Sequence, residues 1–214
     1  MDARTTSGAD RDPGLAGDRP RRFARIRSIG CFMTLTLALA SCDTPRRNPP
    51  KDTKLMTIKI TSSAFEASSK IPKLYTCDDK NISPPIAWTG VPAEAKSLAL
   101  ICDDPDAPRG IWSHWVMYGI DPRVSEIAAG IEATERAALK PGTDPAFQGK
   151  NDFGKIGYGG PCPPSGTHRY FFRLYALEGE LDLKPGATRD QVLKAIEGRI
   201  VAEGELMGKY AREK

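Results

Sequence analysis

Histidine is nearly missing from this sequence: among 214 residues there are only two, His114 and His168. A chain with so few builds no His-x-x-x-His metal helix, and it also lacks the Gly-x-Ser-x-Gly elbow of many serine hydrolases. A concentrated excess of basic charge is absent too. Of 31 Lys and Arg and 27 Asp and Glu, seven and four precede Cys42, which leaves 24 against 23 in the remainder. Without a basic face or a base-reading motif, nucleic acid is set aside as a partner. Nor is there an apolar run of the roughly 20 residues that a bilayer-spanning helix needs.

The apolar run that does occur lies near the start. Residues 21–27 are basic, residues 28–40 are largely apolar and uncharged, and Leu39-Ala40-Ser41-Cys42 follows. This is the layout of a bacterial export signal ending in a lipoprotein cleavage box. The expectation is that residues 1–41 are a lipoprotein-type signal peptide with an N-terminal extension, cleaved before Cys42. The Cys42 thiol then takes a diacylglycerol and the freed amine a third chain, since stable anchoring needs more than one acyl chain. The product would be a membrane-anchored lipoprotein facing the periplasm or the cell exterior. Residues 42–54, with Pro45, Pro49 and Pro50 among polar neighbours, read as a lipidated, proline-rich linker. Residues 55–214 are left for one globular domain, enough for a sizeable core.

Five cysteines become three once Cys31 leaves with the leader and Cys42 carries lipid. An odd number permits at most one bridge. Cys77 and Cys162 lie in loop-like surroundings rich in Gly, Pro and Asp, and their pairing is the expectation outside the reducing cytosol. Cys102 shares parity with Leu98 and Leu100 and reads as a small buried apolar residue.

Residues 55–60 alternate apolar and polar, and residues 97–102 form a continuous apolar run ending at aspartates. Both patterns predict strands, as do the aromatic-rich stretches 112–120 and 168–177, so the fold class is mainly β. Two-residue periodicity puts Trp112, His114, Val116 and Tyr118 on one face. It puts His168, Tyr170, Phe172, Leu174 and Ala176 on one face of the other strand. Thr188-Arg189-Asp190-Gln191 fits a capping box, and Val192, Ile196 and Ile200 follow at helical spacing with Leu193 and Val201 beside them. A C-terminal amphipathic helix is expected there, breaking near Gly204. Residues 125–139 have room for a short helix, and residues 141–160, with six glycines, read as an extended loop.

Each histidine sits in a polar cluster. Asp104-Pro105-Asp106 stiffens a turn, because proline fixes its own φ and restricts the residue before it. Two carboxylates are thereby preset, whether for a ligand or merely to cap the turn. Gly157-Tyr158-Gly159-Gly160 and Gly166 offer backbone N–H groups unobstructed by side chains, the material of anion-binding concavities or of a plain flexible loop. If His114 and His168 share a pocket with Asp104 or Asp106 orienting an imidazole, a protonated ring supplies charge and a donor to a phosphate or carboxylate.

Asp104-Pro105-Asp106-Ala107-Pro108 with Trp112-Ser113-His114, and Gly157-Tyr158-Gly159-Gly160-Pro161-Cys162-Pro163-Pro164 through His168-Arg169-Tyr170, resemble the phosphatidylethanolamine-binding protein family, specifically its bacterial Raf-kinase-inhibitor-like branch. Tyr75-Thr76-Cys77-Asp78 and Asn81-Ile82-Ser83-Pro84-Pro85 extend the resemblance over most of residues 55–210. It implies a Greek-key β-sandwich with peripheral helices and a small anion pocket at one end. Carried over by motif, the ligand-binding residues are Asp104, Asp106, Trp112, His114, Pro164, His168 and Tyr170, with Pro161 and Pro163 as alternatives to Pro164. Kinase inhibition does not carry over, because an exported lipoprotein would not meet such a kinase.

The leading functional expectation is a non-enzymatic binding protein for a small anionic ligand, phosphate-like or a headgroup, which modulates or inhibits a partner protein. It needs no cofactor and no metal. The competing class is a hydrolase using His114 or His168 as general base on a phosphoester or ester, with Ser113 and Ser165 nearby in sequence. A third is a metal centre of two histidines and aspartates.

Overall fold

The computed structural model describes residues 55–213. The leader, Cys31, Cys42 and the linker lie outside the described residues. Among those described, no helix is long and apolar enough to cross a membrane.

The apolar run predicted as a strand becomes β4 (Ser97–Asp104), buried at every residue. Burial on both faces is what a central strand requires, and β4 lies between β5 (Trp112–Ile120) and β9 (His168–Leu177). Leu98, Leu100 and Cys102 face a core shared with Phe172, Leu174 and Trp115, whereas Ala99 and Ile101 face a second cluster with Val116, Val192 and Ile196. The main sheet is completed by β1 (Met56–Thr57), β7 (Arg136–Ala137), β8 (Ala146–Gln148) and β10 (Ile200–Tyr210), in the order β1-β10-β9-β4-β5-β8-β7. Within it, β9-β4-β5-β8 has the Greek-key arrangement, the last strand returning beside the first. A second sheet, β2 (Lys59–Thr61), β3 (Ile86–Thr89) and β6 (Glu126–Ile127), contributes Ile60, Trp88 and Ile127 to the first core. The fold is thus mainly β, a sandwich with one capped helix at its periphery.

Local patterns hold where the partner strand respects them. In β9, His168, Tyr170, Phe172, Leu174 and Ala176 all point inward as the alternation predicts. In β5 they do not. Cys102 pairs with Trp115 but Asp103 pairs with Ser113, so an extra residue, a β-bulge, interrupts the ladder. Beyond it Trp115 and Met117 join the inter-sheet core while Val116 and Tyr118 join the helix-side cluster. His114, packed on Tyr170, therefore lies on the side of Trp115 and does not share a face with Val116 and Tyr118.

The helix α1 (Arg189–Ile196) starts where predicted, with both halves of the capping box present: Gln191 N donates to Thr188 Oγ1 and Thr188 N donates to Gln191 Oε1. It buries Val192 and Ile196 but ends earlier than the spacing predicts. Gly198, at φ +73°, turns the chain, and Ile200 and Val201 enter β10 instead. Residues 125–139 hold no helix but the short strands β6 and β7. Between them Gly130, at φ +74°, donates its N–H to Ser83 O while Ile131 N donates to Ser83 Oγ. The glycine-rich stretch 141–160 contains β8, so it is not wholly loop.

Gly204 separates the two readings of the C-terminal segment. In β10 a Cβ there would stand 2.1 Å from the backbone oxygen of Ile58, whose N–H donates to Glu203 O. Gly204→Ala is expected to lower stability by about 1–3 kcal/mol through overpacking. Helical residues would respond oppositely, gaining about 1 kcal/mol from the same change. Urea unfolding of the variant distinguishes the two by sign.

Candidate functional site

Asp104 ends β4 and His168 begins β9, and strand pairing brings them together: His168 Nδ1 lies 2.7 Å from Asp104 Oδ2. Both side chains are buried. An ionised carboxylate only accepts, so the bond places a proton on Nδ1 and leaves Nε2 as the ring's remaining polar atom. Asp104 Oδ1 accepts the N–H of Asp106 at 2.8 Å, closing the Asp-Pro-Asp turn.

His114 is fixed from the opposite wall. Its Nδ1 is 2.6 Å from Gly159 O, and Gly159 N donates back to His114 O at 2.8 Å. A carbonyl likewise only accepts, so this ring too carries Nδ1–H and presents Nε2. Its face meets Tyr170 edge-on at 5.1 Å and Phe153 at 5.2 Å. Burial pushes the His114 pKa below its ordinary value, and the Gly159 carbonyl only partly opposes this. The imidazole is therefore neutral at pH 7.

The two rings line one cavity of about 230 Å³. Trp112, Phe153, Pro108, Pro163 and Pro164 form apolar walls, while Asp104, His114, His168 and Arg109 supply the polar groups. A larger groove of about 620 Å³ opens at the other end of β4 and β5, beside Ser97 and Ile120. It contains neither histidine, and its Arg123 is already paired with Asp121. The smaller cavity is the better candidate because its polar groups converge.

Of the seven residues expected at the ligand, five line this cavity: Asp104, Trp112, His114, Pro164 and His168. Asp106 does not. Its carboxylate accepts from Arg169 N, Nε and Nη2 at 2.9, 2.9 and 2.7 Å. The guanidinium bonds hold that carboxyl down at about 2, so Asp106 is a clamp on the start of β9. Tyr170 is wholly buried and lies beneath the cavity as part of the core. Burial, reinforced by the Asp104 charge, raises its phenol well above the ordinary range, and its hydroxyl has no partner among the described residues.

The glycines differ from expectation as well. Gly157 N donates to Gly149 O, Gly159 N to His114 O and Gly160 N to Asn81 Oδ1, so none of these N–H groups is left for an anion. Their role is close approach. A Cβ on Gly159 would stand 2.6 Å from the Phe153 ring, and one on Gly160 2.5 Å from Tyr75 O. The periodicity argument missed Phe153, an exposed aromatic in a glycine-rich loop. Asn151 positions it, accepting from Phe153 N and Lys155 N while its amide donates to Gly157 O. Arg109, Pro108 and Ala107 also line the cavity without a signal of their own in the sequence, and Pro163, the alternative to Pro164, lines it together with Pro164. Cys77 and Cys162 are joined in a disulfide across 85 residues, and Cys162 itself lines the cavity. Cys102 is a free, buried thiol. No cluster of three His, Cys, Asp or Glu side chains among the described residues is placed to hold a metal ion.

The His114 shift has a definite sign for stability. A folded-state pKa below about 6.5 means that the unfolded chain takes the proton more readily. The contribution is complete above about pH 6.5 and is lost as pH falls toward the folded value. His114→Gln, which keeps an amide donor for Gly159 O but does not titrate, is expected to lose less melting temperature than wild type between pH 7 and pH 5. Parallel profiles would show that His114 is not held neutral.

The phosphatidylethanolamine-binding protein family model matches residues 61–211. A UPF0098 protein of Methanothermobacter thermautotrophicus is 52% identical over 155 residues, covering 72% of this chain and 99% of its own. A Chlamydia trachomatis structure described as a phosphatidylethanolamine-binding protein homologue shares 43% identity at a TM-score of 0.64, covering 74% of this chain and 99% of that one. Escherichia coli YbcL, described as a member of the mammalian family, shares 30% identity at a TM-score of 0.65, with 73% and 99% covered. With the family model spanning both histidine clusters and the fold matching solved relatives, this chain belongs to the phosphatidylethanolamine-binding protein family.

Proposed function

We propose that this protein is a non-enzymatic binding protein that takes a small anionic group, phosphate-like or a lipid headgroup, between His114 and His168. As an exported lipoprotein held through Cys42, it would modulate or inhibit a partner protein at the exposed rim of the cavity. The observation that carries the reading is the pairing of each Nδ1 with a protein acceptor, Asp104 for one ring and Gly159 O for the other, which leaves two Nε2 atoms for one small cavity. The family description, phosphatidylethanolamine-binding, points to the same class of ligand.

The protonation states favour a partly protonated ligand. Neutral His114 offers a lone pair at Nε2, which suits the hydroxyl of a singly protonated phosphate monoester, whose second pKa is near 6. His168 is oriented by a carboxylate at Nδ1, which leaves Nε2 for the ligand. Arg109 at the lining adds positive charge that offsets Asp104. The apolar walls exclude water and strengthen these bonds. A hydrolytic reading has less to work with, because neither Ser113 nor Ser165 lines the cavity and Ser113 Oγ is buried.

Affinity for O-phosphorylethanolamine, measured by calorimetry, is expected to fall as pH rises from about 5.5 to about 8.5. The phosphate hydroxyl of this monoester is lost through about pH 6, so the partner of the His114 lone pair disappears over that range. His168→Ala should weaken binding at least tenfold, about 1.4 kcal/mol. Asp104→Asn, which retains an acceptor for Nδ1, should weaken it less. Turnover of a phosphoester panel that disappears in His168→Ala would instead support a hydrolase. For the anchor, Cys42→Ser is expected to abolish incorporation of labelled palmitate and to release the protein from the membrane fraction; unchanged labelling would refute it.

A further inference from the structure

The wall of the cavity formed by Cys162, Pro163 and Pro164 is the least secured part of it. Among the described residues, no hydrogen bond joins residues 162–167 to any other segment. Pairing stops at Pro161, whose carbonyl accepts from Cys77 N at 3.1 Å, and resumes at His168 with Asp104. Two of the intervening residues are prolines and have no N–H to donate. Pro163 is buried, but Pro164, Ser165, Gly166 and Thr167 are exposed, so packing compensates at a single residue. Within this gap the Cys77–Cys162 disulfide is the one crosslink.

The other half of the bridge stands on firm ground. Thr76 N donates to Lys73 O, and Asp78, next to Cys77, accepts from Tyr210 Oη at 2.8 Å and Arg212 Nε at 2.9 Å. One sulfur is thus tied to the body of the sandwich and the other to a wall whose remaining hold is the burial of Pro163.

We propose that this disulfide is a redox latch on the cavity: oxidised, it holds the wall of residues 162–167 against the histidines; reduced by a dithiol, it releases the wall and the ligand with it. The second half rests on the binding function proposed above. In the reductive step, a dithiol thiolate attacks Sγ of Cys162, the S–S bond breaks, and Cys77 leaves as a thiolate that takes a proton from water. The second thiolate of the reductant then displaces Cys162, which is protonated in turn, and the reductant departs as a disulfide. Two electrons pass from dithiol to protein. Both half-cystines are half-buried rather than sealed in the core. Cys102, 1% exposed, is sealed in the core, and burial keeps its thiol protonated, so no third sulfur among the described residues reshuffles the bridge.

The test compares the oxidised full chain with the same protein in dithiothreitol and with a Cys77→Ala/Cys162→Ala double variant, which leaves no thiol at either site. Backbone order parameters of Ser165, Gly166 and Thr167 are expected to drop below about 0.6 in both unlatched forms, while β4 and β9 stay near 0.85. Over the same series the dissociation constant for inorganic phosphate should rise at least tenfold. Unchanged order parameters in the wall would overturn the latch whatever the ligand does, and a loosened wall with unchanged phosphate affinity would overturn its control of binding. If the oxidised protein binds no phosphate, the binding function fails, and wall mobility alone decides the latch. The double variant and the reduced wild type are two routes to the unlatched state, and intact β4 and β9 signals confirm that each remains folded.

Discussion

The site depends on one extra residue in β5. Where Cys102 faces Trp115 and Asp103 faces Ser113, the bulge lets His114 and Trp115 lie on the same side of the sheet. Trp115 fills the inter-sheet core and donates from Nε1 to Gln148 Oε1, while His114 stands one residue nearer the strand end with Tyr170 beneath it. A regular strand would turn the imidazole to the helix side, away from His168. The bulge converts the end of a packed core into the floor of a cavity, as bulges near functional sites do when they re-aim a side chain.

From that floor the remaining parts are held by hydrogen bonds between loops far apart in sequence. The Asp-Pro-Asp turn grips the first two residues of β9, Asp104 through His168 and Asp106 through Arg169. On the other side Asp152 Oδ2 accepts from Ser113 N, Asn151 organises the turn that carries Phe153, and Tyr158 Oη donates to Tyr75 O. Backbone polar groups in these loops are satisfied by one another. Apart from the wall of residues 162–167, the cavity is held together by its own hydrogen bonds, and its polar contacts come from a few side-chain atoms rather than from the N–H groups of Gly157, Gly159 and Gly160.

What could be read in advance was whatever local pattern alone determines. The unbroken apolar run of β4, the alternation of β9 and the reciprocal cap of α1 each express a rule acting within a few residues. The bulge did not show, because two-for-one pairing is a property of the neighbouring strand's register. The helix end was misplaced because Ile200 continues the helical spacing, while Gly198 reverses the backbone before it. Asp106 looked like a ligand group because nothing in the sequence says that Arg169 arrives beside it. Phe153 escaped notice because a lone aromatic in a glycine-rich stretch has no periodicity. His114, His168 and Asp104 stand out as the two scarce histidines beside a stiffened carboxylate turn, whereas Trp112 and Pro164 are assigned to the lining only by the resemblance to the family.

The short strand β1 also fixes an orientation. Met56 pairs with Ala202, whereas Tyr210, eight residues further along β10, pairs with His168 beside the cavity. At the rise of an extended strand that is roughly 26 Å along the sheet. The polypeptide enters the sandwich at the end opposite the mouth of the pocket.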